Sequence, residues 1–202
     1  MNSPDNNKLN PSHSKINDRV LWEKFKDGNH NAFSFLYDYY VDILFRYGSN
    51  ISRDKQMVED SIQDVFISLW NNREKISDVL NVKYYLLKAL RNDLLKKIKK
   101  EAATGNTLEC HNVEFLDRCL LAYQEEIIHQ DSESLVLRLR QLVNLLDGRQ
   151  REVLYLRVFQ EMSYEQIASI LEIDIKYTYN IFSKAINQLK NHLAEGFDLF
   201  AE

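Results

Sequence analysis

The sequence predicts an all-α protein of two small helical domains, an N-terminal helical bundle and a C-terminal helix-turn-helix domain, joined by a flexible acidic linker. Three observations lead there. The 202 residues include only five Gly and two Pro, with both prolines in the first eleven positions. Sandwiches and barrels need a turn about every 8–12 residues, so so few turn formers point to helices. Apolar residues recur at helical spacing over two long stretches. Between those stretches lies a segment of sharply different charge.

Met1 to Asn17 is a polar tail rich in Asn, Ser, Pro and Asp, expected to be disordered. It lacks the apolar run of a signal peptide. The N-terminal domain is placed at 18–100, with four helices. The first carries Val20, Leu21 and Phe25 and stops near Gly28. The second carries Phe33, Leu36, Tyr37, Tyr40, Leu44 and Tyr47. The third runs from about Arg53 to Asn71, with Val58, Ile62, Val65, Phe66, Leu69 and Trp70 on one side. The fourth spans roughly Val82 to Lys100.

Residues 101–133 form the linker. Glu101, Glu109, Glu114, Asp117, Glu125, Glu126, Asp131 and Glu133 face the single base Arg118, a net charge of −7. Ala102 to Thr107 reads as a loop, and Phe115 to Tyr123 suits a short helix. The C-terminal domain follows at 134–202. A helix from Leu135 to Leu146 breaks at Asp147-Gly148, and another runs from Arg149 to Phe159. Ser163, three residues before Gln166, is placed as the N-cap of a capping box. That short helix ends near Leu171, and the turn Glu172 to Ile175 leads into a long last helix reaching about Leu193.

Charge and cysteine usage bound the function classes. A formal charge of −4 argues against a general nucleic-acid coat, though not against a local basic face. No stretch approaches the roughly 20 apolar residues that cross a bilayer, so no direct membrane insertion is expected. Cys110 and Cys119 are too few for a disulfide framework. A cytoplasmic protein is the expectation.

Three arrangements carry chemistry. The short helix, tight turn and long helix between Ser163 and Leu193 have helix-turn-helix spacing, with Ala168 at the close approach. Ile167, Leu171, Ile173, Ile181 and Leu189 suit the shared core. A plain αα-hairpin fits the same pattern. In the DNA-binding reading Lys176, Tyr177, Tyr179, Asn180, Ser183, Lys184 and Asn187 face the groove, because Asn pairs with adenine edges and Lys reaches guanine or phosphate. The module is otherwise charge-balanced, so its nonspecific affinity for DNA should be weak.

The fourth helix is basic: Lys83, Lys88, Arg91, Lys96, Lys97, Lys99 and Lys100 against Asp93, a net charge of +6. A solvated charged face is the plain reading. Tyr84 and Tyr85 at its start favour single-stranded DNA, since aromatic rings stack on unpaired bases. On the third helix Asp60 and Asp64 share a face beside Glu59 and Gln63. A carboxylate-bridged metal pair needs two Glu-x-x-His motifs, and the sole instance here is Glu126 to His129, in the linker. Cys110-His111 with Cys119 lacks a fourth zinc ligand. No Gly-rich phosphate loop is present. We therefore expect no metal, cofactor, catalytic residues or small-molecule substrate, and read the acidic face as suited to a basic protein partner.

At this point several motifs converge. Glu59-Asp60-x-x-Gln63-Asp64-Val65-Phe66-x-x-Leu69-Trp70 resembles the core-polymerase-binding helix of extracytoplasmic-function sigma factors. Leu21-Trp22, Gly28-Asn29, Ala32-Phe33 and Leu36-Tyr37-x-x-Tyr40 resemble that family's opening helices. Tyr85-Leu86 with Arg91-Asn92 resembles its promoter-melting helix. Arg149 to Val153 and Ser163 to Ala168 resemble its C-terminal domain. The Tyr179 to Phe182 run resembles Bacteroidetes members. Three departures stand out: Glu172 replaces a turn Gly, Tyr179 and Ile181 replace basic residues, and Tyr85 replaces Trp.

The resemblance implies a role in transcription initiation. Asp60, Gln63, Asp64, Phe66, Ile67 and Trp70 would bind the clamp helices of core RNA polymerase. Lys83, Tyr84, Tyr85, Lys88, Arg91, Asn92, Lys96 and Lys97 would capture the minus-ten element of promoter DNA. The Lys176 to Asn187 face, Thr178 included, would read the minus-thirty-five element while its domain sits on the polymerase flap. The acidic linker would thread the polymerase's channels, and an anti-sigma factor would be the brake. The competing class is a stand-alone helix-turn-helix regulator, whose N-terminal half would bind a ligand or dimerise. A helical metal enzyme is the third.

Overall fold

The computed structural model describes residues 18–77, 79, 81–103 and 141–197. Seven helices are named among them: α1 (Asp18–Lys26), α2 (His30–Ile51), α3 (Lys55–Asn72), α4 (Val82–Ala103), α5 (Gly148–Val158), α6 (Tyr164–Leu171) and α7 (Ile175–Phe197). Residues 141–144 are also helical, and no strand occurs among the described residues. The all-α expectation holds, with the helices grouped into two helical domains.

Each boundary has a local cause. Gly28 ends the first turn region at φ +82, a left-handed conformation that costs glycine little. Asn29 then caps α2, its side chain accepting from the Ala32 amide at 3.0 Å. Asp54 caps α3 in the same way, through the Met57 amide at 3.1 Å. Asp147 with Gln150 and Ser163 with Gln166 form reciprocal capping boxes on α5 and α6. The break that the sequence places at Asp147-Gly148 is thus an N-cap.

The α1–α4 bundle closes around Trp22, Phe25, Leu36, Leu44, Val58, Phe66, Leu86 and Leu90. Gly48 lies inside α2 where that helix crosses α3 and α4. A Cβ there would sit 2.6 Å from Val58 Cγ1 and 3.4 Å from Leu94 Cδ1, so the backbone approach requires glycine. The α5–α7 unit packs around Val153, Leu156, Ile167, Ile170, Ile181 and Ala185.

The two halves touch. Their buried residues form one continuous cluster, and the Tyr47 ring of α2 stacks on Tyr155 of α5 with centroids 6.0 Å apart and planes 8° from parallel. Helix α4 lies directly against α6. Most of the acidic linker, with Cys110, His111, Cys119, Glu126 and His129, lies outside the described residues; Glu101 to Ala103 extend α4 by a turn.

Candidate polymerase-facing and DNA-facing surfaces

Helix α3 presents Asp60, Gln63, Asp64 and Ile67 to solvent, and Ile67 is 57% exposed. The opposite side of the helix, Val58, Ile62, Val65 and Leu69, is buried in the bundle, so period and cap together aim the acidic face outward. Gln56 donates to Asp60 at 2.9 Å. Asp64 accepts from Lys97 of α4 at 2.7 Å, and Lys97 also pairs with Asp93 at 3.1 Å. Burial alone would lower the Lys97 pKa; hydrogen bonds to Asp64 and Asp93 outweigh it and raise it.

Two members of this set differ from expectation. Phe66 is 2% exposed, its ring against Phe33 at 6.0 Å and Tyr37 at 4.9 Å. Its position on the apolar side of α3 makes it a support beneath the acidic face, not part of it. Trp70 is half-buried between His30, 4.4 Å away, and the Arg73 guanidinium, 4.7 Å above its ring, so one edge remains at the surface.

The first half of the basic face of α4 is covered, contrary to the plain picture of a solvated helix, while Lys96, Lys99 and Lys100 are exposed. Lys83 donates to the Gln160 carbonyl at 2.9 Å. The Tyr84 hydroxyl and the Ser169 hydroxyl lie 2.7 Å apart, and Lys88 donates to the same Ser169 oxygen at 2.9 Å. Arg91 donates to Glu152 at 2.9 Å, the two side chains being 13% and 14% exposed. Tyr47 donates to the same Glu152 oxygen at 2.8 Å. Burial lowers the Arg91 pKa, but Glu152 more than offsets it and the net shift is upward. Burial, and then the Glu152 carboxylate, hold the Tyr47 hydroxyl well above 10.0. Tyr85 packs edge-on against Trp22 at 5.7 Å, and burial raises its phenol too. Asn92 is half-buried and Lys96 exposed.

The third surface is the α6–turn–α7 unit. Ala168 is buried at the helix crossing, and Ile167, Leu171 and Ile181 fill the core between the helices. Glu172 takes the left-handed conformation, φ 56 and ψ 46. That is the conformation a glycine would serve, which explains what the Glu172 departure means: the turn keeps its shape with a non-glycine residue in it. Asp174 then accepts from the amides of Lys176 at 2.7 Å and Tyr177 at 3.3 Å, starting α7.

Lys176, Tyr177, Tyr179, Asn180, Lys184 and Asn187 are exposed along α7, and Ser183 is half-buried. Thr178 is the correction: at 0% exposure it faces inward, its hydroxyl donating to the Asp174 carbonyl at 3.0 Å. Three residues before Ile181 and seven before Ala185, both buried, it shares their side of α7. Tyr179 leans on Tyr164 at 5.4 Å, and Arg157 covers Tyr164 at 5.0 Å.

Glu152, Ser169 and Tyr47 did not emerge from the sequence as site residues. Tyr47 and Glu152 are 105 positions apart, and no local pattern joins them. Among the described residues no group of three or more His, Cys, Asp or Glu side chains is placed to hold a metal, and no helix is long and apolar enough to cross a membrane.

Known proteins resemble this chain in sequence and in fold. Residues 36–104 match the family model for sigma-70 region 2, and residues 137–178 match that for sigma-70 region 4. Together the two span more than half of the chain. The chain is 23% identical over 166 residues to the ECF RNA polymerase sigma factor SigX of Bacillus subtilis (strain 168), covering 80% of this chain and 84% of that protein. Its fold resembles that of CnrH, solved in complex with the cytosolic domain of CnrY, at a TM-score of 0.57 and 18% identity over 88% of this chain and 97% of the other. It also resembles the sigma factor RpoE, solved with the anti-sigma factor NepR from Bartonella quintana, at a TM-score of 0.56 and 21% identity over 80% and 96% of the two chains.

Proposed function

The chain belongs to the sigma-70 family, as an extracytoplasmic-function sigma factor that directs promoter recognition and transcription initiation, and from that premise we propose how its surfaces divide the work. Asp60, Gln63, Asp64 and Ile67 on α3, with the free edge of Trp70, dock on the clamp helices of core RNA polymerase. The observation that carries this is the α3 face itself: carboxylates around an exposed isoleucine, on a helix whose other side is locked into the core. Such a face meets a basic partner with an apolar centre.

Helix α4 captures the minus-ten element as single strand. Lys83, Lys88, Arg91, Lys96 and Lys97 track phosphates, while Tyr84, Tyr85 and Asn92 meet bases. The exposed α7 residues Lys176, Tyr177, Tyr179, Asn180, Lys184 and Asn187, with Ser183 at their edge, read the minus-thirty-five element in the major groove. The functional domains run 18–100 and 134–202, and the acidic segment 101–133 occupies the polymerase's basic nucleic-acid channels. The sigma-70 family is not an enzyme class, and we assign the chain no catalytic step of its own. Its place is the cytoplasm. An anti-sigma factor restrains it; the solved complexes of CnrH with CnrY and of RpoE with NepR support that partner class.

The test is core binding by the variant Asp60→Arg with Asp64→Arg. The Asp64–Lys97 pair is exposed, and such pairs contribute about 0–1 kcal/mol, so the fold should survive. Lost capture of core polymerase with an unchanged circular dichroism spectrum is expected. Undiminished capture would remove α3 from the interface.

A further inference from the structure

From Ile175 to Lys190, α7 contains no Arg, Asp or Glu. Arginine is the commonest donor to guanine, and a carboxylate is the side chain that accepts from cytosine. Lys176 and Lys184 are the cations of the reading face, and a lysine ammonium is a flexible point charge that serves phosphates without choosing a base. What the face offers to base edges is amide, hydroxyl and aromatic. Asn180, Ser183 and Asn187 fall on one row, three and four residues apart, and Tyr179 stands beside Asn180 at 55% exposure.

Tyr179 is also held in place. Its ring meets Tyr164 of α6 edge-on at 5.4 Å, and Tyr164 meets Phe182 at 5.9 Å. Arg157 lies over the Tyr164 ring at 5.0 Å and donates to the Met162 carbonyl at 2.8 Å, which ties the cluster to the loop before α6. A fixed, exposed aromatic edge in the major groove has one apolar group to meet there, the C5-methyl of thymine. The neighbouring Asn180 amide matches the adenine edge, donor and acceptor together. Building on the assignment of α7 to the minus-thirty-five element, we infer that this element holds thymine and adenine at neighbouring positions, with Tyr179 packing on the thymine methyl and Asn180 pairing with the adenine. The ring cluster positions Tyr179 before DNA arrives, so little side-chain freedom is lost on contact.

The experiment uses holoenzyme reconstituted from core RNA polymerase and the full-length chain. A fragment that initiates in run-off transcription has its upstream element randomised, and the templates that holoenzyme retains are sequenced. Enrichment of thymine and adenine at two neighbouring positions is expected. The enriched thymine is then replaced by deoxyuridine, which lacks only the 5-methyl group. Losing that one methyl contact should weaken binding by parent holoenzyme about fourfold. Tyr179→Phe should keep the preference, because the ring and not the hydroxyl makes the contact, whereas Tyr179→Ala should bind both templates equally. Asn180→Ala should lose about tenfold of its adenine preference at the neighbouring position. Equal binding of thymine and deoxyuridine templates by parent holoenzyme, or enrichment of G·C pairs at these positions, would overturn the inference. That comparison needs no variant, so it decides even where Tyr179→Ala fails to fold. Enrichment at no upstream position would overturn the assignment of α7 instead, and a chain that supports no core-dependent initiation would overturn the sigma assignment.

Discussion

Tyr47→Phe tests the central contact between the two halves while leaving the stack on Tyr155 in place. The substitution deletes a single oxygen, one that donates to Glu152 at 2.8 Å from a ring with no solvent exposure. Glu152 keeps its Arg91 partner, so no buried charge is orphaned. What is lost is one hydrogen bond to a charged acceptor, about 1.5–3 kcal/mol before relaxation. For a chain of this size that lowers the thermal midpoint by about 3–12 °C, at roughly 2–4 °C for each kcal/mol.

The same change alters the pH dependence. The Tyr47 pKa is raised in the folded state, by burial first and then by Glu152. Below pH 10.0 both states hold the proton and the contribution is complete. Above it the unfolded chain releases the proton while the folded chain retains it, so stability falls by up to about 1.4 kcal/mol for each pH unit. Denaturant unfolding of the parent chain from pH 9 to about pH 11 should show that decline, and Tyr47→Phe should lessen it. Equal midpoints and equal alkaline slopes in the two proteins would refute the buried Tyr47–Glu152 bond.

Three further outcomes are expected. Gly48→Ala places a methyl 2.6 Å from Val58 Cγ1; overpacking of about 1–3 kcal/mol is partly offset by about 1 kcal/mol of helix propensity, and chemical denaturation should show a net loss. A gain in stability would contradict the close crossing of α2 and α3. Asn180→Ala with Lys184→Ala should weaken recognition of the upstream promoter element without changing core capture, since both side chains project from the exposed face of α7; an unaltered profile across mutated upstream elements would refute it. Thr178→Val should leave promoter choice intact and shift stability by about 1 kcal/mol or less, because its hydroxyl serves only the Asp174 carbonyl, which the Thr178 amide also reaches at 2.9 Å. Altered promoter selection in that variant would return Thr178 to the reading face.

The elements legible in the sequence are those whose causes are local. The capping box at Ser163 and Gln166, the helix-turn-helix core of Ile167, Leu171 and Ile181, and the outward turn of Asp60 and Asp64 follow from spacing over a few residues. Phe66 and Thr178 mark the next level of difficulty. The family motifs put each in a binding set, yet each falls on the inward side of its helix, where apolar spacing already places Phe66. The covering of α4 lay beyond reach, because it depends on Glu152 and Ser169 meeting side chains 61 to 105 positions away. A run of lysines looks the same in sequence whether water or another helix receives it.

The most direct test of the account is run-off transcription with core RNA polymerase, with and without this chain, on a library of promoter fragments. Initiation at discrete start sites that appears only when both are present is the predicted result. Tight, sequence-specific duplex binding by the chain alone, with no change in what core polymerase transcribes, would contradict it and point to a stand-alone regulator.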